Sequence, residues 1–187
     1  SQVEADEEQV NLTRFSLFFP EKRDFFLEND GIFTFADDAA RAFRSGAGPR
    51  NFKLFHSRRI GLSDSREPLP IGGGARLSGR IGRYEVGLME MQTLREGNSP
   101  AENFAVARVR RSVFTRSDVG FIFVNRQATS LSAGESYSRA GGVDANFRFD
   151  RLQVNAYAAL TEDPGPDGDR SIGTVQVGWR DPVFDFS

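Results

Sequence analysis

In Val143-Asp144-Ala145-Asn146-Phe147-Arg148-Phe149 every second residue is apolar and every residue between is polar, the pattern of a strand with one greasy and one wet face. The run Leu152-Gln153-Val154-Asn155-Ala156-Tyr157-Ala158 repeats it after Asp150-Arg151. If those two residues form a tight turn, Phe149 faces Leu152, Phe147 faces Val154, Ala145 faces Ala156 and Val143 faces Ala158. All the apolar side chains then share one face, and a slip of one residue would mix the faces. The pair lacks the Gly that a two-residue hairpin usually uses. At Gly82-Arg83 the Gly comes first, as a type II′ turn prefers, and Ile81 is expected opposite Tyr84, Gly79 opposite Val86, Leu77 opposite Leu88 and Arg80 opposite Glu85. The phase blurs at Met89-Glu90-Met91. Further strands are expected over 104–113, 119–125 and 172–179, and glycines such as Gly79, Gly87 and Gly120 fall inside strands, where they relieve crowding or permit bends.

The connections alternate in length. They are short at Gly82-Arg83, long over 95–102, short over 114–118, long over 126–141, short at Asp150-Arg151, long over 162–170 and short at Arg180-Asp181-Pro182. In an up-and-down meander this puts every short turn at one end and every long loop at the other, as outer-membrane barrels are built. Tyr84, Phe149 and Trp179 lie on the apolar face beside short turns, where an aromatic girdle belongs. Phe114 lies near the same end with its face unassigned. The fold class expected is all-β: an antiparallel up-and-down meander over 71–187, forming part of a transmembrane barrel. About seven strands and the start of another at Val183 are visible, and an unclosed sheet leaves edges that hydrocarbon cannot satisfy. The remaining strands are expected from the parent chain or from another subunit. Both ends of the sequence read as mid-element, so the chain is expected to be a piece of a longer protein.

Residues 1–70 show no clean period and are expected to form an irregular, plug-like segment in or against the lumen. Within them a short helix is expected from Glu4 through Phe15, interrupted by Pro20. A short strand is expected at Gly31-Ile32-Phe33-Thr34-Phe35, and a second short helix at Asp37 to Arg44, closed by Ser45-Gly46. Asn51 to Phe55 alternates again.

Composition narrows the classes only slightly. Of 187 residues 39% are hydrophobic and 27% charged, which suits a soluble domain and a barrel equally, since barrel strands are polar on one face. A net charge of −2 without a basic stripe disfavours nucleic acid as a partner. With no Cys there is no disulfide, thiolate metal site or Cys nucleophile, and no apolar run approaches the ~20 residues of a membrane helix.

The densest local chemistry is Phe18-Phe19-Pro20-Glu21-Lys22-Arg23-Asp24-Phe25-Phe26, four charges between two Phe pairs. Glu21, Lys22, Arg23 and Asp24 can form a polar constriction or ligand clamp in the lumen; the weightier reading is a structural plug whose charges satisfy one another and the wall. Arg58 and Arg59, with the lumen side of Arg108, Arg110 and Arg111, can favour an anionic solute, although such arginines more often pair with acids such as Glu21 or Asp24. His56, the only His, reads as structural. Asp163, Asp167 and Asp169 offer oxygen ligands for calcium, but the spacing departs from an EF-hand and a solvated loop is the better reading. Gly72-Gly73-Gly74 lacks the Lys-Ser/Thr of a phosphate loop and reads as a flexible lead into a strand. No catalytic residue, resident metal or cofactor is expected.

Gln9 to Asp30, Phe55 to Leu62, Ile71 to Gly82 and Asn103 to Val124 resemble an uncharacterised family of bacterial surface proteins in which a family-9-type carbohydrate-binding module precedes a large outer-membrane β-barrel. The Phe-Phe-Pro-Glu-Lys-Arg-Asp-Phe-Phe stretch carries the resemblance most specifically. It implies a Gram-negative outer membrane, lipid and further strands as partners, a glycan bound by a module upstream, and a function in passage, docking or anchoring without catalysis. Two alternatives stand beside it. One is a soluble β-rich carbohydrate-binding or glycan-hydrolysing domain, which calls for an aromatic platform or paired carboxylates. The other is a subunit of a multichain surface assembly.

Overall fold

The computed structural model describes residues 22–27, 30–36, 54–63, 67–129, 136–164, 169–180 and 185–186. One antiparallel sheet dominates, its strands in sequence order: β1 Ile71–Ile81, β2 Tyr84–Thr93, β3 Glu102–Phe114, β4 Ser117–Ala128, β5 Tyr137–Arg148, β6 Leu152–Glu162, β7 Arg170–Arg180 and the two-residue β8 Asp185–Phe186. Each strand pairs with its neighbour in the chain and β1 pairs only with β2, so the described sheet is an open up-and-down meander. A transmembrane barrel would need closure beyond these strands.

Both hairpin registers follow the alternation. Ile81 pairs with Tyr84, Gly79 with Val86, Leu77 with Leu88 and Arg80 with Glu85. Gly82 alone in that turn has positive φ, at 60°, which fits its place as the first central residue of a type II′ turn. Across Asp150-Arg151, Phe147 pairs with Val154, Ala145 with Ala156 and Val143 with Ala158, and the Phe149 N–H donates to the Leu152 carbonyl at 2.8 Å. This hairpin closes without a Gly.

Several expectations are corrected. The strand expected at Gly31–Phe35 is replaced by a 3-10 turn over Asp30–Phe33, because these residues cap a sheet face and extend no ladder. Gly72-Gly73-Gly74 lie within β1, where the register shifts between Ile71 and Gly73. That shift turns Ile71 to the same side as its partner Thr93. The long connection expected over 126–141 is shorter, because β4 runs to Ala128 and β5 starts at Tyr137. Loop sorting persists, with turns at 82–83, 115–116 and 149–151 at one end and connections at 94–101, 129–136 and 163–169 at the other. The helices expected over 4–15 and 37–44, the strand start at Val183, and all but Leu54-Phe55 of the alternating stretch at 51–55 lie outside the described residues. Leu54 and Phe55 belong to no strand.

The two faces of the sheet differ in what covers them. On one face Met89, Met91, Phe104, Val106, Ile122, Tyr157 and Ala159 form a core with Phe26, Phe33, Phe35 and Ile60 from the N-terminal segment. That segment enters with the four-residue helix α1, Asp24–Leu27, and returns through a 3-10 turn at Ser57–Arg59. The other face is bare: Leu77, Ile81, Val143, Val175 and Val177 are 54 to 75% exposed.

Candidate functional site

The covered face is built around glycines that leave room for what lies on it. Gly87 on β2 faces Ile32 and Phe33, and a Cβ there would fall 2.5 Å from Ile32 Cγ2. Gly142 on β5 faces Phe35 and Leu54, with 2.6 and 2.9 Å available to a Cβ. Both spacings are well inside van der Waals contact, so these positions act as sockets for the N-terminal aromatics. Phe35 also meets Tyr157 edge to face at 5.9 Å. Each Phe sunk in this way contributes about 1.5–3 kcal/mol of apolar burial.

Arginines on the strands hold the same segment by its backbone. Arg76 donates to the Phe25 carbonyl at 2.6 Å with its guanidinium 5.3 Å from the Phe33 ring, and Arg110 donates to the Gly31 carbonyl at 3.4 Å and to the Thr34 side-chain Oγ1 at 3.2 Å. Within the segment, Arg23 donates to the carbonyls of Ser57 and Ile60, both at 2.8 Å, and stacks 4.1 Å over Phe26. Arg23 thus clasps two chain passages that lie far apart in sequence.

Beneath Phe35 the sheet carries a buried ion pair. Arg108 on β3 is fully buried and binds Asp144 on β5 through two parallel bonds, Nη1 to Oδ1 at 2.6 Å and Nη2 to Oδ2 at 2.7 Å. The strand between them makes this possible: a Cβ on Gly120 of β4 would sit 2.7 Å from both Arg108 Nη1 and Asp144 Oδ1. Elsewhere on this face Glu102 is gripped by Arg126 with contacts of 2.7–3.0 Å, Glu85 lies near Arg80 and Arg110, and Asp118 accepts from Asn146. Toward the short turns the face turns to amides, with Asn146 paired to Asn155 and Asn155 to Gln176. The buried Asn155 amide has no hydrogen-bond partner among the described residues.

Of the sequence candidates, Glu21 and Asp167 lie outside the described residues. Lys22 and Asp24 are exposed, while Arg23 is turned to its own segment's backbone. Arg58 is half-buried and Arg59 exposed in the 3-10 turn, directly after the half-buried His56. Arg108 and Arg110 share the covered face, but their described carboxylate partners are Asp144 and Glu85 in place of the expected Glu21 or Asp24. Arg111 is a correction, because alternation carries it to the bare face, where its guanidinium lies 5.4 Å from the Tyr84 ring. Asp163 and Asp169 flank the β6–β7 connection, and no group of three or more His, Cys, Asp or Glu stands together among the described residues. Sequence reading missed the Arg108–Asp144 pair, which spans two strands. An Arg and an Asp on wet-face positions with a Gly between them was the available signal.

The bare face has a consistent lateral structure. Reading across β2 to β7, one row is Tyr84, Arg111, Val119, Ala145, Ala156 and Val175, and the next is Val86, Val109, Phe121, Val143, Ala158 and Gly173. Toward the long loops, from β2 to β6, the side chains become mostly polar over two adjacent rows. Asn103 donates to Glu90 at 3.0 Å, Arg139 to Asn125 at 3.3 Å, and the Tyr137 hydroxyl to Glu162 at 3.2 Å. Toward the short turns stand Tyr84, Phe114, Phe147, Phe149 and Trp179; Phe114 and Phe147 lie 6.0 and 6.4 Å from Phe149, which assigns Phe114 to this face. The apolar stretch from Leu152 to Leu160 on β6 runs about 27 Å along the strand at about 3.4 Å per residue. At a barrel strand's tilt of about 35–45° that length projects to roughly 19–22 Å, somewhat less than the roughly 25 Å of a barrel's hydrocarbon band.

Among the described residues no helix is long and apolar enough to cross a membrane, which leaves crossing by strands untouched. Comparison with family models, curated proteins and solved structures finds no match.

Proposed function

We propose that this chain is a segment of a bacterial outer-membrane β-barrel that anchors a larger cell-surface protein, with its bare face against lipid and its N-terminal segment on the lumen side. One observation carries the reading: a face spanning seven strands is apolar and uncovered, and over β2 to β6 it gives way to two adjacent rows of mostly polar, hydrogen-bonded side chains. A water-soluble protein rarely leaves so large a contiguous apolar surface open. Lipid accounts for both the surface and its limit. The sorting of short and long connections supports the same orientation, with short turns on the periplasmic side and long loops outside.

Closure of the barrel requires strands on both sides of the described sheet, from the parent chain or from a neighbouring subunit, because an open edge in hydrocarbon leaves backbone groups unsatisfied. Anchoring is favoured over passage by the covered face, where aromatics seated on glycines and arginines bonded to backbone fill the middle of the sheet. The sequence resemblance supports placing a glycan-binding module beside this anchor in the parent protein. Glycan hydrolysis by this segment is less well supported, since Asp144, Glu102 and Glu85 all serve arginines.

Fractionation of cells expressing the intact parent tests the reading. The protein is expected in the membrane pellet after high-salt and alkaline washes, released only by detergent, with slower gel mobility after boiling. Recovery in the soluble fraction without detergent would overturn it.

A further inference from the structure

The short-turn rim of the bare face joins a greasy trough to a set of exposed cations. The trough is a shallow, open depression of about 630 Å³ above the β3–β7 strands, and its floor is low because Ala145, Ala156 and Ala158 lie between the taller Phe121, Val143 and Val175. A single charged side chain on the bare face lines it, Arg111, in the one of the trough's two main rows that lies nearer the short turns. Arg83 lies in the turn one residue before Tyr84, the cross-strand partner of Arg111, and the Arg83 carbonyl accepts from the Ser112 N–H at 2.9 Å. Arg116 occupies the next turn, between Phe114 and Ser117. All three arginines are exposed, and none has an ion-pair partner among the described residues.

Among the described residues the exposed charge at this end is mostly positive. Arg148 is also exposed there, Asp150 is the exposed acid, Asp118 accepts from Asn146, and Glu85 lies near Arg80 and Arg110. The opposite limit of the bare face mixes signs, with Glu90, Arg139 and Glu162 engaged in its polar row. Unpaired guanidiniums at the edge of an apolar surface bind phosphate by forked hydrogen bonds, and an adjoining trough takes an alkyl chain.

We infer that the short-turn rim is a binding site for an anionic phospholipid. Its phosphate sits among Arg111, Arg83 and Arg116, and one acyl chain lies in the Ala145–Ala156 trough. The inference rests on the membrane reading and adds a partner to it: the leaflet facing the short turns is selected for negative charge. Attraction of this kind near a membrane surface weakens about fivefold per arginine removed, and further as salt rises.

The intact parent protein, reconstituted in nanodiscs of phosphatidylcholine with a minor share of phosphatidylglycerol, supplies the test. Lipid co-purifying with the protein after detergent extraction is analysed by mass spectrometry, and Trp179 fluorescence is quenched with brominated lipid in the same sample. Enrichment of phosphatidylglycerol over its bulk share is expected, falling about a hundredfold in affinity in the Arg83→Gln, Arg111→Gln, Arg116→Gln triple variant. It should be unchanged in Arg95→Gln at the long-loop end. Quenching of Trp179 with no enrichment, or with enrichment that the triple variant retains, would overturn the lipid site while leaving the membrane reading intact. Absence of Trp179 quenching would overturn both. Should the triple variant fail to insert, the single Arg111→Gln variant gives the same comparison at about fivefold.

Discussion

The Arg108–Asp144 pair shows how much one residue depends on its neighbours two strands away. Both side chains are buried, and the low polarity around them makes each charge intolerable alone. Asp144→Asn is therefore expected to destabilise the fold by about 3–5 kcal/mol, since it leaves the Arg108 charge buried without its counter-ion. Replacing both, as Arg108→Met with Asp144→Leu, should cost much less. Urea titration of the detergent-solubilised protein distinguishes the two, and equal losses would mean the pair is not what holds this region. Sequence reading assigned Arg108 to the wet face through alternation but sought its partner in the N-terminal charged cluster. Gly120 was the missing link. The local sequence shows a glycine in a strand, whereas the space it leaves is visible only once β3, β4 and β5 lie side by side.

At the level of elements, strands were legible where their two faces meet different surroundings. Residues 143–158 alternate cleanly because one face is bare and apolar and the other carries Asp144, Asn146, Gln153 and Asn155. The blur at Met89-Glu90-Met91 has the opposite cause. Met89 and Met91 face the core shared with Phe33, so an apolar covered face stands against the polar row that holds Glu90. The N-terminal segment was hard to read because its form is set by sockets in the sheet, which impose no period on its own sequence. Those sockets give a direct prediction. Gly142→Ala is expected to destabilise by about 1–3 kcal/mol through overpacking against Phe35 and Leu54, whereas Gly79→Ala, with nothing within 4 Å of the added methyl, should be close to neutral. Thermal melts of the two variants in one detergent make the comparison, and equal behaviour would mean that Phe35 is not seated on the sheet as described.

For the whole molecule the decisive asymmetry is between a sheet face sealed by the chain's own aromatics and a face on which Val143, Val175 and Val177 stand open. Alternation and loop sorting made both faces and the direction of the strands readable in advance. How the covered face is filled, and the cationic rim around Arg111, depended on three-dimensional neighbours. Because this chain has no Cys, single substitutions at Val143, Val175 and Arg139 can carry spin labels at defined positions. The test is the accessibility of those labels to oxygen and to a water-soluble nickel chelate, with the intact parent in lipid bilayers. Labels at 143 and 175 are predicted to be open to oxygen and shielded from nickel, with the one at 139 more open to nickel. Labels at 143 and 175 shielded from both reagents, or freely reached by nickel, would contradict the claim that this face meets hydrocarbon.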